Sequence, residues 1–151
     1  MVANPPAGEP RISPYLCYAD ADHALEWLSR CFGFTERMRL TGPDGKVAHA
    51  ELTLADAVVM LGSPGPDFVN PAATAERPIA FVHVYVDDVD AHHATAKAEG
   101  VKITSELEDT FYGDRRYMAV DPGGHHWAFA QHVRDVDPDA MSNWWEQETQ
   151  S

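Results

Sequence analysis

The stretch "IAFVHVYVDDVDAHHATAKAEG", residues 79–100, decides the fold. It opens by alternation: Val82, Val84 and Val86 fall on one side of an extended chain and Phe81, His83 and Tyr85 on the other, the period of a strand. Asp88 then offers a side-chain oxygen to the free N–H groups of a first helical turn, and Gly100 supplies the left-handed residue that ends the helix. Three histidines and three aspartates among its first fifteen residues also raise the question of a metal site.

Upstream, the chain gives the same signals in the same order. "RISPYLCYAD" is a short β-like run, and in "ADHALEWLSRCFGF" the residues Leu25, Leu28 and Phe32 recur at helical spacing between an N-cap, Asp20, and a C′ residue, Gly33. Three strand candidates follow, "FTERMRL", "KVAHAELTL" after a "GPDG" turn, and "AVVML" ahead of "GSPGP". After the helix at 88–100 come "VKITSEL", "RRYMAV" and "HWAFAQH", with "DPGG" as the last turn. The order β-α-β-β-β therefore occurs twice, Asp20 matching Asp88 and Gly33 lying close to the place of Gly100, at an offset of roughly 68 residues. Each copy exposes an apolar sheet face that needs cover. The expected organisation is a first βαβββ module at 10–64, a Pro- and Ala-rich linker at 65–78, a second module at 79–133 and a C-terminal helical tail at 134–151. In that tail a short helix follows Pro138, and Trp144 and Trp145 need a surface to pack on.

Composition sets the outer bounds. A chain of 151 residues with 44% hydrophobic and 10% aromatic content has enough apolar mass for a buried core. With no charged-then-apolar leader and no apolar run near the roughly 18 residues of a membrane span, a soluble cytoplasmic protein with no membrane partner is expected. The formal charge of −13 opposes nucleic acid, whose phosphates select Lys and Arg, and favours cationic ligands where it lines a cleft. Cys17 and Cys31 read as two buried thiols without chemistry.

Paired β-α-β-β-β modules with "VDDVDA" after a strand and "DPGGHHW" at the last turn resemble the vicinal oxygen chelate superfamily of glyoxalases, bleomycin-resistance proteins and extradiol dioxygenases. Within it, "ISPYLCYAD", "HAEL", "FYGDRRYMAVDPGGHHWAFAQHV" and "DVDPDAM" resemble the PhnB-like branch. The resemblance spans roughly residues 11 to 141 and implies an α+β fold of two modules. Their curled mixed sheets carry helices on the convex side and line a cleft with the concave side.

On that fold, strand parity sorts the side chains. Ala48, Ala50, Leu52 and Leu54 are expected under the first helix, leaving Val47, His49, Glu51 and Thr53 toward the cleft. In the second module Phe81, His83 and Tyr85 take the cleft side, with His126, Ala128 and Ala130 opposite Trp127 and Phe129. His92 and His93 read as structural or surface residues of the helix, His125 belongs to a turn, and His23 and His132 are expected in solvent. Glu51 is expected to be satisfied by a neighbouring histidine or by Arg116, or else to orient His49 or His83 for proton transfer.

Superfamily members that bind a divalent metal take ligands from fixed places, and the resemblance carries those places onto Ser13, Met60, Phe81 and Ala128. None is a His, Glu or Gln, whereas a catalytic Zn, Fe, Mn or Ni needs about three N, O or S ligands. No metal and no other cofactor is expected; a displaced site from His49, Glu51, His83 and His126 is the alternative. What remains is a cleft with an apolar lining of Phe81, Met60, Tyr85 and Tyr15 and sparse polar groups, His49, Glu51, His83 and Ser13, which suits a small organic ligand, cationic or aromatic.

Two readings of function follow. One is a metal-free small-molecule binder resembling bleomycin-resistance proteins; the other is a lyase or isomerase using His83, Glu51 and His49 in acid–base chemistry or a displaced metal. A homodimer is expected in either case.

Overall fold

The computed structural model describes residues 2–63, 65 and 78–142. Most of the expected linker, and Trp144 and Trp145 of the tail, lie outside the described residues. The chain divides into two compact units, Met1–Ile79 with Asp121–His125, and Ala80–Val120 with His126–Ser151.

In the first module β1 (Tyr15–Cys17) leads to α1 (Ala21–Phe32), then β2 (Thr35–Thr41), β3 (Val47–Leu54) and β4 (Ala57–Gly62). The second repeats the order with β5 (Phe81–Tyr85), α2 (Val89–Ala98), β6 (Lys102–Asp109), β7 (Asp114–Val120) and β8 (His126–His132), and a short α3 (Pro138–Met141) follows. The two sheets run β1-β4-β3-β2 and β5-β8-β7-β6. In each, the first strand pairs parallel with the last and every other pairing is antiparallel. This is the expected pair of βαβββ modules.

The caps work as the residues dictate. Asp20 accepts from the backbone N–H of His23 at 3.0 Å, Asp88 from that of Ala91 at 3.0 Å, and Gly33 ends α1 with φ of 77°. Helix α1 buries Ala21, Ala24, Leu25, Leu28, Cys31 and Phe32. Helix α2 buries only Val89 and Ala96, so the second core draws its bulk from the strands: Tyr117, Trp127 and Phe129 are fully buried. Cys31 is buried as expected, Cys17 only partly so, and the two are not joined by a disulfide.

Strand parity holds through the middle of β3, where Ala50 and Leu52 are fully buried. It slips at the start of the strand: Ala48 is exposed and Val47 buried, next to an irregularity in the pairing between Leu40 and Thr41. A second irregularity, between Glu36 and Met38, inserts Arg37 as an extra residue opposite β3. Its consequence is visible in the neighbours, because Glu36 and Arg39 bond side chain to side chain at 2.8 Å, which residues three apart in a regular strand cannot do.

Candidate functional site

Each sheet has a helix-covered face and an open face. On the open face of the first sheet, the register aligns Tyr15 with Met60 and Met60 with Glu51, and in the next row His49 with Gly62. The sequence-predicted residues Tyr15, His49, Glu51 and Met60 are thus brought together. The Tyr15 hydroxyl lies 3.0 Å from His49 Nδ1, and His49 Nε2 lies 3.4 Å from Glu51 Oε1. One tautomer serves both contacts: with the proton on Nε2, Nδ1 accepts from the phenol while Nε2 donates toward the carboxylate. Gly62 makes this possible, since a Cβ there would sit 2.6 Å from the Tyr15 hydroxyl and 2.8 Å from the Ala48 carbonyl oxygen.

Glu51 is 9% exposed. Its main partner is Arg37, whose Nε donates to Oε2 at 3.0 Å and whose Nη2 donates to the same oxygen. That guanidinium, helped by His49, holds the Glu51 carboxyl below the usual carboxylate range against the opposing effect of burial. Arg116, the arginine that sequence reasoning offered to Glu51, instead faces Glu108 with its Nε 3.7 Å from the carboxylate. The pairing of β2 is the reason: continuing the Thr35–Thr53 and Glu36–Leu52 register sets Arg37 opposite Glu51, and the irregularity then lets Met38 share that place. Arg37 also takes a second carboxylate, that of Glu9 in the N-terminal segment. Ser13 lies outside β1, its hydroxyl buried and without a hydrogen-bond partner among the described residues.

The open face of the second sheet is different in kind. Phe81 pairs in register with His126, His83 with Ala128 and Tyr85 with Ala130. Phe81 and Tyr85 are 49% and 59% exposed, and the His83 ring meets Tyr85 edge-on at 4.8 Å. Across Ala130 stands Arg116, its Nε buried and without a hydrogen-bond partner among the described residues. At the end of the sheet the buried Asp114 accepts from the Tyr85 hydroxyl at 2.9 Å and pairs with His132 Nδ1 at 2.8 Å, while His132 Nε2 meets Asp135 at 2.8 Å. Asp135 and Asp114 raise the His132 pKa, and the bond to Asp114 raises that of Tyr85. His132 is exposed, as expected, and it also bonds Asp114, which strand pairing sets directly across from it. His92 and His93 are structural as read, bonded to Tyr117 at 2.6 Å and Glu106 at 2.9 Å.

For a metal, the donor chemistry at the inherited places does not fit: Ser13, Met60, Phe81 and Ala128 offer one hydroxyl and one thioether. Among the described residues no three His, Cys, Asp or Glu side chains are grouped so as to hold an ion. A separate concavity of about 510 Å³ in the first unit is lined by Asp20, Asp22, Asp44 and Lys46. Its three carboxylates are engaged as caps on backbone N–H groups of His23, Val47 and Lys46.

Comparison with known proteins agrees with this architecture. The uncharacterised protein Rv0887c of Mycobacterium tuberculosis is 37% identical over 138 residues, 88% of this chain and 81% of its own. The crystal structure of TioX from Micromonospora sp. ML1 superposes with a TM-score of 0.67 at 31% identity, covering 85% of this chain and all of TioX (100%). TnmS3, an antibiotic binding protein from Streptomyces sp. CB03234, shares the fold with a TM-score of 0.60 at 22% identity, over 83% of this chain and 100% of its own. The profile of the glyoxalase/bleomycin resistance protein/dioxygenase superfamily matches residues 11–129, and the chain belongs to that superfamily.

Proposed function

We propose that the protein is a metal-free binder of a small aromatic molecule. The observation that carries this reading is the exposed aromatic row Phe81, His83 and Tyr85 on an open sheet face whose neighbouring strand sets His126, Ala128 and Ala130 beside them. Flat apolar walls beside a few directed polar groups suit an aromatic ligand, which gains about 0.5–1.5 kcal/mol per ring contact beyond area burial. TnmS3, an antibiotic binding protein of the same fold, supports the capacity of this fold to bind a small molecule. We also take the PhnB-like branch, a homodimeric assembly and a cytoplasmic location as part of this reading, on the motifs quoted above and the commonness of two-fold pairs.

The test is calorimetric titration of the chelator-treated full chain with 1-naphthamide, a neutral two-ring probe. Saturable binding is expected, unchanged on adding Zn, Ni, Mn or Fe, and weakened at least about tenfold when Phe81 and Tyr85 are both changed to Ala. Binding that appears only with added metal, or that ignores the double substitution, overturns the reading. A second reading, acid–base catalysis, draws on the chain Tyr15–His49–Glu51. Burial, with Cys17 nearby, raises the Tyr15 pKa, so this phenol stays protonated and would serve as the acid. Tyr15→Phe abolishing a turnover while sparing affinity would favour it.

A further inference from the structure

The N-terminal segment reaches the open face of the first sheet and ends there on a guanidinium. A backbone bond from the Glu9 N–H to the Pro6 carbonyl at 3.0 Å closes a turn over residues 6–9, and Gly8, with φ of 82°, takes the left-handed position in it. The turn delivers two acceptors to Arg37: the Gly8 carbonyl oxygen lies 3.5 Å from Nη1, and the Glu9 carboxylate bonds Nη2. Glu51 meanwhile occupies the Nε side of the same guanidinium. Nη1 and Nη2 are the two parallel donors through which an arginine grips a carboxylate end-on. A backbone carbonyl and a borrowed carboxylate therefore fill, imperfectly, the place of one bidentate acid.

The hydrogen bonds of the stand-in point the same way. The Glu9 Oε2 is buried without a hydrogen-bond partner among the described residues. A buried oxygen of that kind costs free energy that a better-placed acid would recover. Tyr15, half-exposed and tied through His49 to Glu51, belongs to the same contiguous cluster.

We infer that Arg37 is an anchor for a carboxylate-bearing ligand and that Glu9 is its internal stand-in, displaced when the ligand binds. This reaches beyond the aromatic row of the second module, and it adds a second, anionic recognition element on the first. The experiment compares 1-naphthoate with its neutral isostere 1-naphthamide on the full chain and on Glu9→Gln, by calorimetry and by the ¹⁵N resonance of the Arg37 side chain. Glu9→Gln is expected to tighten naphthoate at least about fivefold, leave naphthamide unchanged, and let naphthoate shift the Arg37 Nε resonance. Arg37→Gln in the Glu9→Gln background should erase the gain; because it strands the Glu51 carboxylate, the Arg37 resonance in the folded single variant is the independent readout. Equal gains for acid and amide, no gain, or an Arg37 resonance that naphthoate leaves unmoved overturns the inference. Naphthamide binding at the aromatic row in that event leaves the function proposed above intact, whereas loss of both probes removes that as well.

Discussion

The two modules share one backbone plan and fill it with opposite side chains. Leu28 in α1 and Ala96 in α2 occupy equivalent places, both fully buried, and on the strand beneath them Ala50 corresponds to Tyr117, also both fully buried. The equivalence rests on register, since Ala50 pairs with Leu61 as Tyr117 pairs with Phe129. A large helix residue over a small strand residue in one module has become a small helix residue over a large strand residue in the other. What is held constant is the volume between the layers, and close packing requires no more than that. The exchange also explains the polar helix: with Tyr117 filling the layer, His92 can bond its hydroxyl and lie tilted against Phe129 at 4.2 Å, and the matching positions in α1 need neither.

Breaking this exchange has the largest expected effect. Leu28→Ala, and Tyr117→Ala in the second module, should each cost about 2–5 kcal/mol in chemical denaturation, transfer and cavity terms together. Ala50→Tyr alone should overpack the first module by about 1–3 kcal/mol. The sharper test is the double variant Leu28→Ala with Ala50→Tyr, which imports the second module's solution. It should be more stable than the sum of the single changes by at least about 1 kcal/mol, a coupling measured by the double-mutant cycle. Additive losses would mean that the layers are filled independently and the volume argument fails.

A smaller break lies on the open faces, at Gly62 and its counterpart Ala130. Ala130 carries its methyl fully buried, while the same methyl at Gly62 would strike the Tyr15 hydroxyl and the Ala48 carbonyl. Gly62→Ala should therefore cost about 1–3 kcal/mol, and it should free Tyr15 from His49, seen as a shift of the His49 ring ¹⁵N resonances by NMR. Ala130→Gly loses one buried methyl and gains chain entropy in the unfolded state, about 1 kcal/mol in all. An equal response at the two positions would erase the distinction between a phenol-covered and an uncovered row.

How much of this was legible depends on the range of the interactions involved. The helices were read from Asp20, Gly33, Asp88 and Gly100 because caps act within a few residues, and the strands from alternation. The cluster Tyr15, His49 and Glu51 followed from parity and from the pairing that parity implies. Arg37 was not legible, because its place opposite Glu51 depends on the register of β2 against β3, which nothing within "FTERMRL" sets. Gly62 looked like the first residue of a turn, and its packing role exists only once β1 lies beside it. The exposure of His132 was legible but its bond to Asp114 was not, because that partner is 18 residues away across a hairpin.

The polar networks of the two modules should also respond to pH in opposite directions, which gives the smallest predicted effect and the finest test of the comparison. In the first module the Glu51 carboxyl is held low, chiefly by Arg37, which does not titrate in any accessible range. A depressed carboxyl pKa contributes stability that is present above the unfolded value, near 4.3, and lost as pH falls through the folded one. In the second module His132 is raised, by Asp135 first and Asp114 next, so its contribution is full below the unfolded value near 6.5 and fades as pH rises through the folded one. The stability difference between wild type and His132→Gln should accordingly be largest near pH 6 and shrink toward pH 9, by less than the Gly62 effect because His132 is half-exposed. The difference for Glu51→Gln should stay constant over that range and shrink only on acidification. Denaturant midpoints at pH 4, 6 and 9 check both, and a His132 difference that is flat or grows with pH would show that Asp114 is held by Tyr85 alone and that the imidazole adds nothing to the second module's network.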